Sequence, residues 1–111
     1  MNQFELFCLV YFALDSVWDN SRNKNLGQFL SDVNPFLWLD VGSANPAMFI
    51  EFCEFFPQKE FSIEESYTIA NEYINRLDYY YSDSVRDAWK SINQEKWIEA
   101  AKKYLSQPHK K

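Results

Sequence analysis

The residue types that perform most enzyme chemistry are scarce in this sequence. Its one histidine, His109, stands three residues from the carboxyl end, and Cys8 and Cys53 lie in apolar stretches distant from it in sequence. Without a neighbouring imidazole, no cysteine or serine has an evident base to activate it as a nucleophile. No metal-binding spacing of histidines or cysteines occurs either. We therefore expect no enzyme activity, no metal and no cofactor, and we expect both cysteines to be reduced thiols of the core.

Carboxylates are the remaining candidates for acid–base chemistry. They occur as close pairs at Asp15 and Asp19, Glu51 and Glu54, and Glu64 and Glu65. The last pair suits the first turn of a helix, where negative charge complements the helix dipole. The other pairs fit the polar edges of amphipathic helices better than they fit a general acid and base.

Charge and glycine content argue against phosphate and nucleic-acid binding. Glycine occurs only at positions 27 and 42, so a Gly-rich phosphate loop is not possible. The chain carries 16 acidic and 11 basic residues, a net charge of −5. A protein that binds nucleic acid through its phosphates needs the opposite balance.

The tyrosine run Tyr79-Tyr80-Tyr81 is conspicuous, but acidic residues flank it. A platform that stacks bases needs interleaved basic residues, whereas Asp78 and Asp83 stand beside this run. We predict that Tyr81 continues an apolar core stripe and that Tyr80 broadens it. The Tyr79 hydroxyl is expected to lie in water.

Residues 34–46 form the most suggestive segment, a long apolar connection between two predicted helices. Loops usually run over the surface, and exposing this one would create an apolar patch. One interpretation makes it a lid that closes the core. The other makes it a protein interface with Trp38 as the anchor, Phe36 beside it and Asp32 and Asp40 as an acidic rim, a composition typical of binding hot spots. The sequence leaves both interpretations open.

Acidic and basic residues are unevenly distributed along the chain. Residues 1–89 hold fourteen acidic residues against five basic ones, and residues 90–111 hold six lysines against two glutamates. The basic end fits a solvated last helix whose lysines complement its dipole. Alternatively, the acidic part forms a face that attracts a partner protein with a basic surface.

Hydrophobic periodicity predicts an all-α fold, an irregular bundle of five or six helices. The first helix ends near Asn20 and is apolar on most of its circumference, so we expect it at the centre of the bundle. A short second helix spans Leu26 to Val33 and stops before Pro35. A third begins at Pro46, with Asn45 as its cap, and ends near Pro57.

The carboxyl-terminal half predicts three further helical segments. Ser62 and Glu65 form a capping box, and an apolar stripe follows it through Ile63, Tyr67, Ala70, Ile74, Leu77 and Tyr81. Ser82 or Ser84 is expected to cap the next helix, and the last begins near Asn93. We predict one helical domain over residues 1–105 and a flexible basic tail over 106–111.

The apolar run of residues 6–14 resembles neither a signal peptide nor a membrane span. It lacks a basic start and a small-residue cleavage site, and it is far shorter than the ~20 residues a bilayer requires. We therefore expect a cytoplasmic protein that does not bind membranes.

The segment from Phe29 to Phe56, FLSDVNPFLWLDVGSANPAMFIEFCEFF, resembles part of a family of small, uncharacterised bacterial all-helical proteins. Some bacterial proteins of this size and acidity act as immunity proteins beside toxins. The resemblance implies a non-enzymatic protein that binds and blocks a cognate partner, and it assigns no binding residues.

The leading functional hypothesis is a cytoplasmic protein-binding domain, a monomer or homodimer of the immunity-protein kind. Two alternatives come from other classes. One is a homo-oligomeric structural domain that buries its surplus aromatic residues at a two-fold interface. The other is a carrier of a small molecule in an aromatic pocket between helices, lined by Tyr11, Phe52, Tyr73 and Tyr80.

Overall fold

Six α-helices make up most of the part of the chain that the computed structural model describes, residues 1–33 and 47–106. No β-strand occurs in these two ranges, which confirms the all-α prediction. None of the described helices has the length and apolar character needed to cross a membrane. The helices are α1 (Gln3–Ser21), α2 (Lys24–Val33), α3 (Ala47–Phe55), α4 (Ile63–Arg76), α5 (Ser82–Trp89) and α6 (Gln94–Ser106).

Helix α1 lies at the centre of the bundle, as its sequence predicts. It contacts each of the other five helices. Five consecutive residues, from Leu6 to Val10, are buried, so partners cover this stretch on every side. A helix that is apolar around its circumference is stable in water only in such a position.

Reciprocal capping boxes start two of the helices. Ser62 Oγ accepts from the Glu65 backbone N–H, and Glu65 accepts from the Ser62 backbone N–H, which confirms the predicted start of α4. Asn2 and Glu5 make the same exchange at the start of α1, with distances of 2.8 and 2.9 Å. Each box satisfies two backbone donors that the first turn of a helix leaves free.

Helix α4 is shorter than its apolar stripe predicts. It ends at Arg76, and Leu77 is already extended, with φ −60° and ψ 134°. Leu77 and Tyr81 are nevertheless buried. The stripe therefore predicts burial correctly beyond the point where the helix ends.

The predicted serine cap of α5 is wrong. Ser82 and Ser84 both lie inside this helix, and its N-cap residue is Tyr81, whose side chain makes no capping bond. Ser82 instead holds the preceding turn, because its Oγ accepts from the backbone N–H of Tyr79 at 2.8 Å. Helix α6 begins at Gln94, as predicted, and Asn93 Oδ1 accepts from the backbone N–H of Lys96.

Both cysteines are free thiols, Cys8 in the core and Cys53 half-buried. Burial raises the pKa of the Cys8 thiol to about 11, so it stays protonated at neutral pH. The predicted tail begins at Ser106, the last residue of α6, and residues 107–111 lie outside the described ranges.

A layer of large aromatic residues joins α4, α5 and α6. The Trp97 ring lies edge-on to Trp89 at 5.5 Å and to Tyr67 at 6.3 Å. The Trp97 Nε1–H donates to Ser66 Oγ at 2.8 Å, and that hydroxyl donates to the Ile63 carbonyl at 2.6 Å. The indole N–H is therefore satisfied inside the core, as buried polar groups require.

Gly27 of α2 leaves room for the indole of Trp18. A Cβ at position 27 would lie 2.9 Å from Trp18 Nε1, closer than side chains tolerate. That nitrogen donates to the Asn23 carbonyl at 3.1 Å, and the Arg22 guanidinium stacks on the same indole at 4.6 Å. The glycine thus permits α2 to pack against the end of α1.

We expect Gly27→Ala to lower the free energy of unfolding by about 0.5–1 kcal/mol. Alanine favours the helix by about 1 kcal/mol, but moving the indole loses a hydrogen bond and a cation–π contact of about 1 kcal/mol each. In a Trp18→Ala background the same change should stabilise by about 0.5–1 kcal/mol, because the space is then free. Urea denaturation of the four proteins gives the coupling, and the same sign in both backgrounds would contradict this account.

Candidate functional site

Three tyrosines and two carboxylates meet where α2, α3, α4 and the α4–α5 connection come together. We call this group the acidic tyrosine cluster; its members are Asp32, Glu51, Tyr73, Tyr79 and Tyr81. Asp32 is the penultimate residue of α2, and Glu51 lies in the middle of α3. Tyr73 projects from α4, and Tyr79 and Tyr81 lie in the connection that follows it.

Hydrogen bonds link the tyrosine hydroxyls to both carboxylates. Tyr79 Oη donates to Glu51, at 3.1 Å from each carboxylate oxygen. Tyr81 Oη lies 3.4 Å from Asp32 Oδ2, and Gln28 Nε2 donates to Asp32 Oδ1 at 3.0 Å. The Tyr79–Glu51 and Tyr81–Asp32 bonds join residues that are 28 and 49 positions apart in the sequence. They therefore depend on how the helices pack.

The electrostatic field of the cluster is negative. Burial raises the pKa of Tyr81, and the Asp32 charge raises it further. Burial likewise raises the pKa of Tyr79, with contributions from its hydrogen bond to Glu51 and from the charges of Glu51, Asp32 and Asp78. No basic residue contributes to either shift, and neither Asp32 nor Glu51 forms an ion pair within the described ranges.

Tyr73 is the member of the cluster with no exposed surface. Its side chain is fully buried, and its ring packs edge-on against Phe52 at 5.0 Å and near Phe7 at 6.1 Å. Burial raises the pKa of this hydroxyl most strongly. The negative charge of Glu51 and the hydroxyls of Tyr79 and Tyr81 raise the pKa further. Tyr73 Oη nevertheless has no hydrogen-bond partner among the described residues. Buried hydroxyls without a partner are rare and costly, so this one marks an unusual position.

Exposed side chains lie next to members of the cluster. Tyr80 is 76% exposed, and its ring centroid lies 5.0 Å from that of Tyr81. Ile50, the residue before Glu51, is 55% exposed, and Tyr79 is 38% exposed. The prediction that Tyr80 broadens the core is therefore wrong. Its ring is available to a binding partner instead.

Of the four partner-binding residues predicted from the sequence, Asp32 belongs to the cluster. It is half-buried; its bond to Tyr81 links α2 to the α4–α5 connection, and its bond to Gln28 lies within α2. Phe36, Trp38 and Asp40 lie outside the described residues, as does the choice between lid and interface for residues 34–46. Sequence reasoning assigned Glu51 to a polar helix edge and left the Tyr79 hydroxyl in water, and so missed their pairing.

The four residues predicted to line the aromatic pocket of a small-molecule carrier differ in burial, with Tyr11 half-buried. Phe52 and Tyr73 are fully buried and pack against each other, whereas Tyr80 is largely exposed. A different groove, of about 740 Å³, lies between α1 and the start of α6. Leu9 and Trp97 contribute to its apolar surface, and Lys96 is the charged residue at its edge.

No set of three histidine, cysteine, aspartate or glutamate side chains within residues 1–33 and 47–106 is placed to hold a metal ion. No protein-family model, curated protein or solved structure matches this chain.

Proposed function

We propose that this chain is a protein-binding domain without enzyme activity and that the acidic tyrosine cluster is its contact surface. The observation that carries this proposal is the exposure of Tyr80, which packs on Tyr81 of a cluster whose two carboxylates form no ion pair with any residue that the structure describes. Exposed aromatic residues are common anchors of interfaces, and uncompensated charge of one sign selects a partner of the other. The partner is therefore a protein with a basic surface.

An immunity protein acting in the cytoplasm is the form of this function that the resemblance of residues 29–56 favours. Such a protein works by occlusion and requires no catalytic group of its own. The excess of acidic over basic residues in 1–89 would speed the approach of a basic toxin. The homo-oligomer and the small-molecule carrier remain the alternatives. Light scattering of the purified chain measures its oligomeric state and so distinguishes the homo-oligomer from the protein-binding domain.

The test is capture from a lysate of the source cell, followed by affinity measurements on the purified partner. We expect a basic protein whose association slows markedly between 50 and 300 mM salt, because salt screens exposed charges. Tyr80→Ser should weaken binding at least tenfold, about 1.4 kcal/mol, and leave stability within about 0.5 kcal/mol.

Phe12→Ser is the matched control, because Phe12 is an exposed aromatic residue on α1, outside the cluster. It should leave the affinity unchanged. A partner that binds Tyr80→Ser as tightly as wild type, with association insensitive to salt, would show that this surface is not the contact.

A further inference from the structure

The two carboxylates of the cluster can accept more hydrogen bonds than they receive. Each carboxylate offers about four lone-pair positions. Glu51 receives the single proton of Tyr79, shared between its two oxygens. Asp32 receives one bond on each oxygen, from Gln28 and Tyr81. The rings of Tyr79 and Tyr81, whose hydroxyls bond to Glu51 and Asp32, lie 5.4 Å apart, so neighbouring rings hold the two carboxylates. The surface there is suited to a group that donates several hydrogen bonds and carries positive charge.

Tyr73 gives a second and independent observation. Its hydroxyl is fully buried, the negative charge of Glu51 acts on it, and it has no hydrogen-bond partner among the described residues. This oxygen therefore has acceptor capacity left for a donor that enters the cluster. The tyrosine ring is held by Phe52 and so presents its oxygen in a fixed place.

The donor that these features fit is a guanidinium group. Its planar fork makes two parallel bonds to one carboxylate, which an ammonium group cannot do. Its flat face also stacks on an aromatic ring, and the exposed ring of Tyr80 adjoins the cluster. A divalent metal ion is a poorer fit, because no group of three histidine, cysteine, aspartate or glutamate side chains among the described residues is placed to hold one.

We propose that the acidic tyrosine cluster receives one arginine side chain of the protein partner. The guanidinium pairs with Glu51, with Asp32 adding charge, Tyr80 covering its face and Tyr73 Oη accepting a bond from it. This assignment rests on the proposed function for the identity of the partner, whereas the guanidinium site itself is testable without that partner.

The probe is the blocked tripeptide acetyl-Gly-Arg-Gly-amide, titrated into the ¹⁵N-labelled full chain and followed by amide chemical shifts. We expect saturable shifts centred on residues 32, 51 and 79–81, with a dissociation constant of roughly 1 mM, as suits one side chain. The peptides carrying citrulline or lysine in place of arginine should bind at least fivefold more weakly. Equal shifts with all three peptides would overturn the assignment.

Matched variants locate the site. Glu51→Gln should weaken binding of the arginine peptide at least fivefold, whereas Glu99→Gln, the same charge change on an exposed residue of α6, should leave it unchanged. Tyr73→Phe removes only the unsatisfied hydroxyl, so it should fold normally and bind the peptide two- to fivefold more weakly. Equal affinities for wild type and Glu51→Gln would exclude the site, and an unchanged affinity for Tyr73→Phe would remove Tyr73 from it.

The outcomes separate this inference from the proposed function. A basic protein that binds wild type and not Tyr80→Ser, together with no binding of the arginine peptide, would overturn the guanidinium site alone. Binding of the peptide at Glu51, with no protein partner recovered, would leave the guanidinium site intact and count against the protein-binding function.

Discussion

Trp97→Ala should lower the free energy of unfolding by about 3–5 kcal/mol, the cost of truncating a buried tryptophan. Trp97 is 2% exposed and packs against Trp89 and Tyr67, which hold α5 and α4 against α6. Truncation would leave a cavity at the meeting point of three helices. Urea denaturation followed by circular dichroism measures the loss without relying on tryptophan fluorescence.

Two further variants help to interpret this loss of stability: one tests the hydrogen bond of Trp97, and the other is a control on an exposed residue. Ser66→Ala leaves the buried Trp97 Nε1–H without its acceptor and should cost about 1–3 kcal/mol. Lys96→Ala, an exposed neighbour of Trp97, should change stability by no more than about 0.5 kcal/mol. A loss below about 1.5 kcal/mol for Trp97→Ala would mean that this aromatic layer does not hold the helices together.

Phe52→Ala should cost a similar amount, about 3–5 kcal/mol. Phe52 is fully buried, and its ring lies between 5.0 and 5.5 Å from the rings of Tyr73, Phe7 and Phe56. It therefore joins α1, α3 and α4 and supports the ring of Tyr73 within the acidic tyrosine cluster. Chemical denaturation measures the stability, and the arginine-peptide titration measures the effect on the cluster.

Ile50→Ala is the control on the same helix, because Ile50 is 55% exposed. It should alter stability by about 0.5 kcal/mol or less. Similar losses for the two variants would contradict the burial of Phe52 at a junction of helices.

Local patterns in the sequence predict most of the helices correctly. The Ser62–Glu65 pair identifies the start of α4 because both of its hydrogen bonds are made within four residues. Asn2 and Glu5 have the same spacing and form the same box at α1, a signal that was present and overlooked. Central placement of α1 follows from its apolar circumference, since no exposed position would suit it.

Periodicity fails where burial continues but the helix does not. Leu77 and Tyr81 keep the spacing of the α4 stripe and are buried, yet they belong to the turn that precedes α5. Spacing of apolar residues reports which side chains are covered, and it carries little information about backbone hydrogen bonds across a turn. The predicted serine cap fails for a separate reason, because Ser82 bonds backward to Tyr79 instead of capping α5.

The candidate site was largely beyond sequence reasoning. Asp32 was identified through its proximity to the apolar segment 34–46, although its observed partners are Gln28 and Tyr81. The pairing of Glu51 with Tyr79 depends on how α3 packs beside the α4–α5 connection, and no local spacing encodes that arrangement. Tyr80 illustrates the same limit, since a tyrosine run does not show which ring faces the solvent.

The central position of α1 has a consequence for synthesis of the chain on the ribosome. This helix emerges before the five helices that cover it, and α6, which also contacts it, is the last of the six to emerge. Until then its apolar surface is only partly covered and is open to chaperones or to aggregation. The order of the helices thus means that folding is completed only after nearly the whole domain has been synthesised. A chain stalled on the ribosome before α6 would expose apolar surface of α1 and would be prone to aggregate.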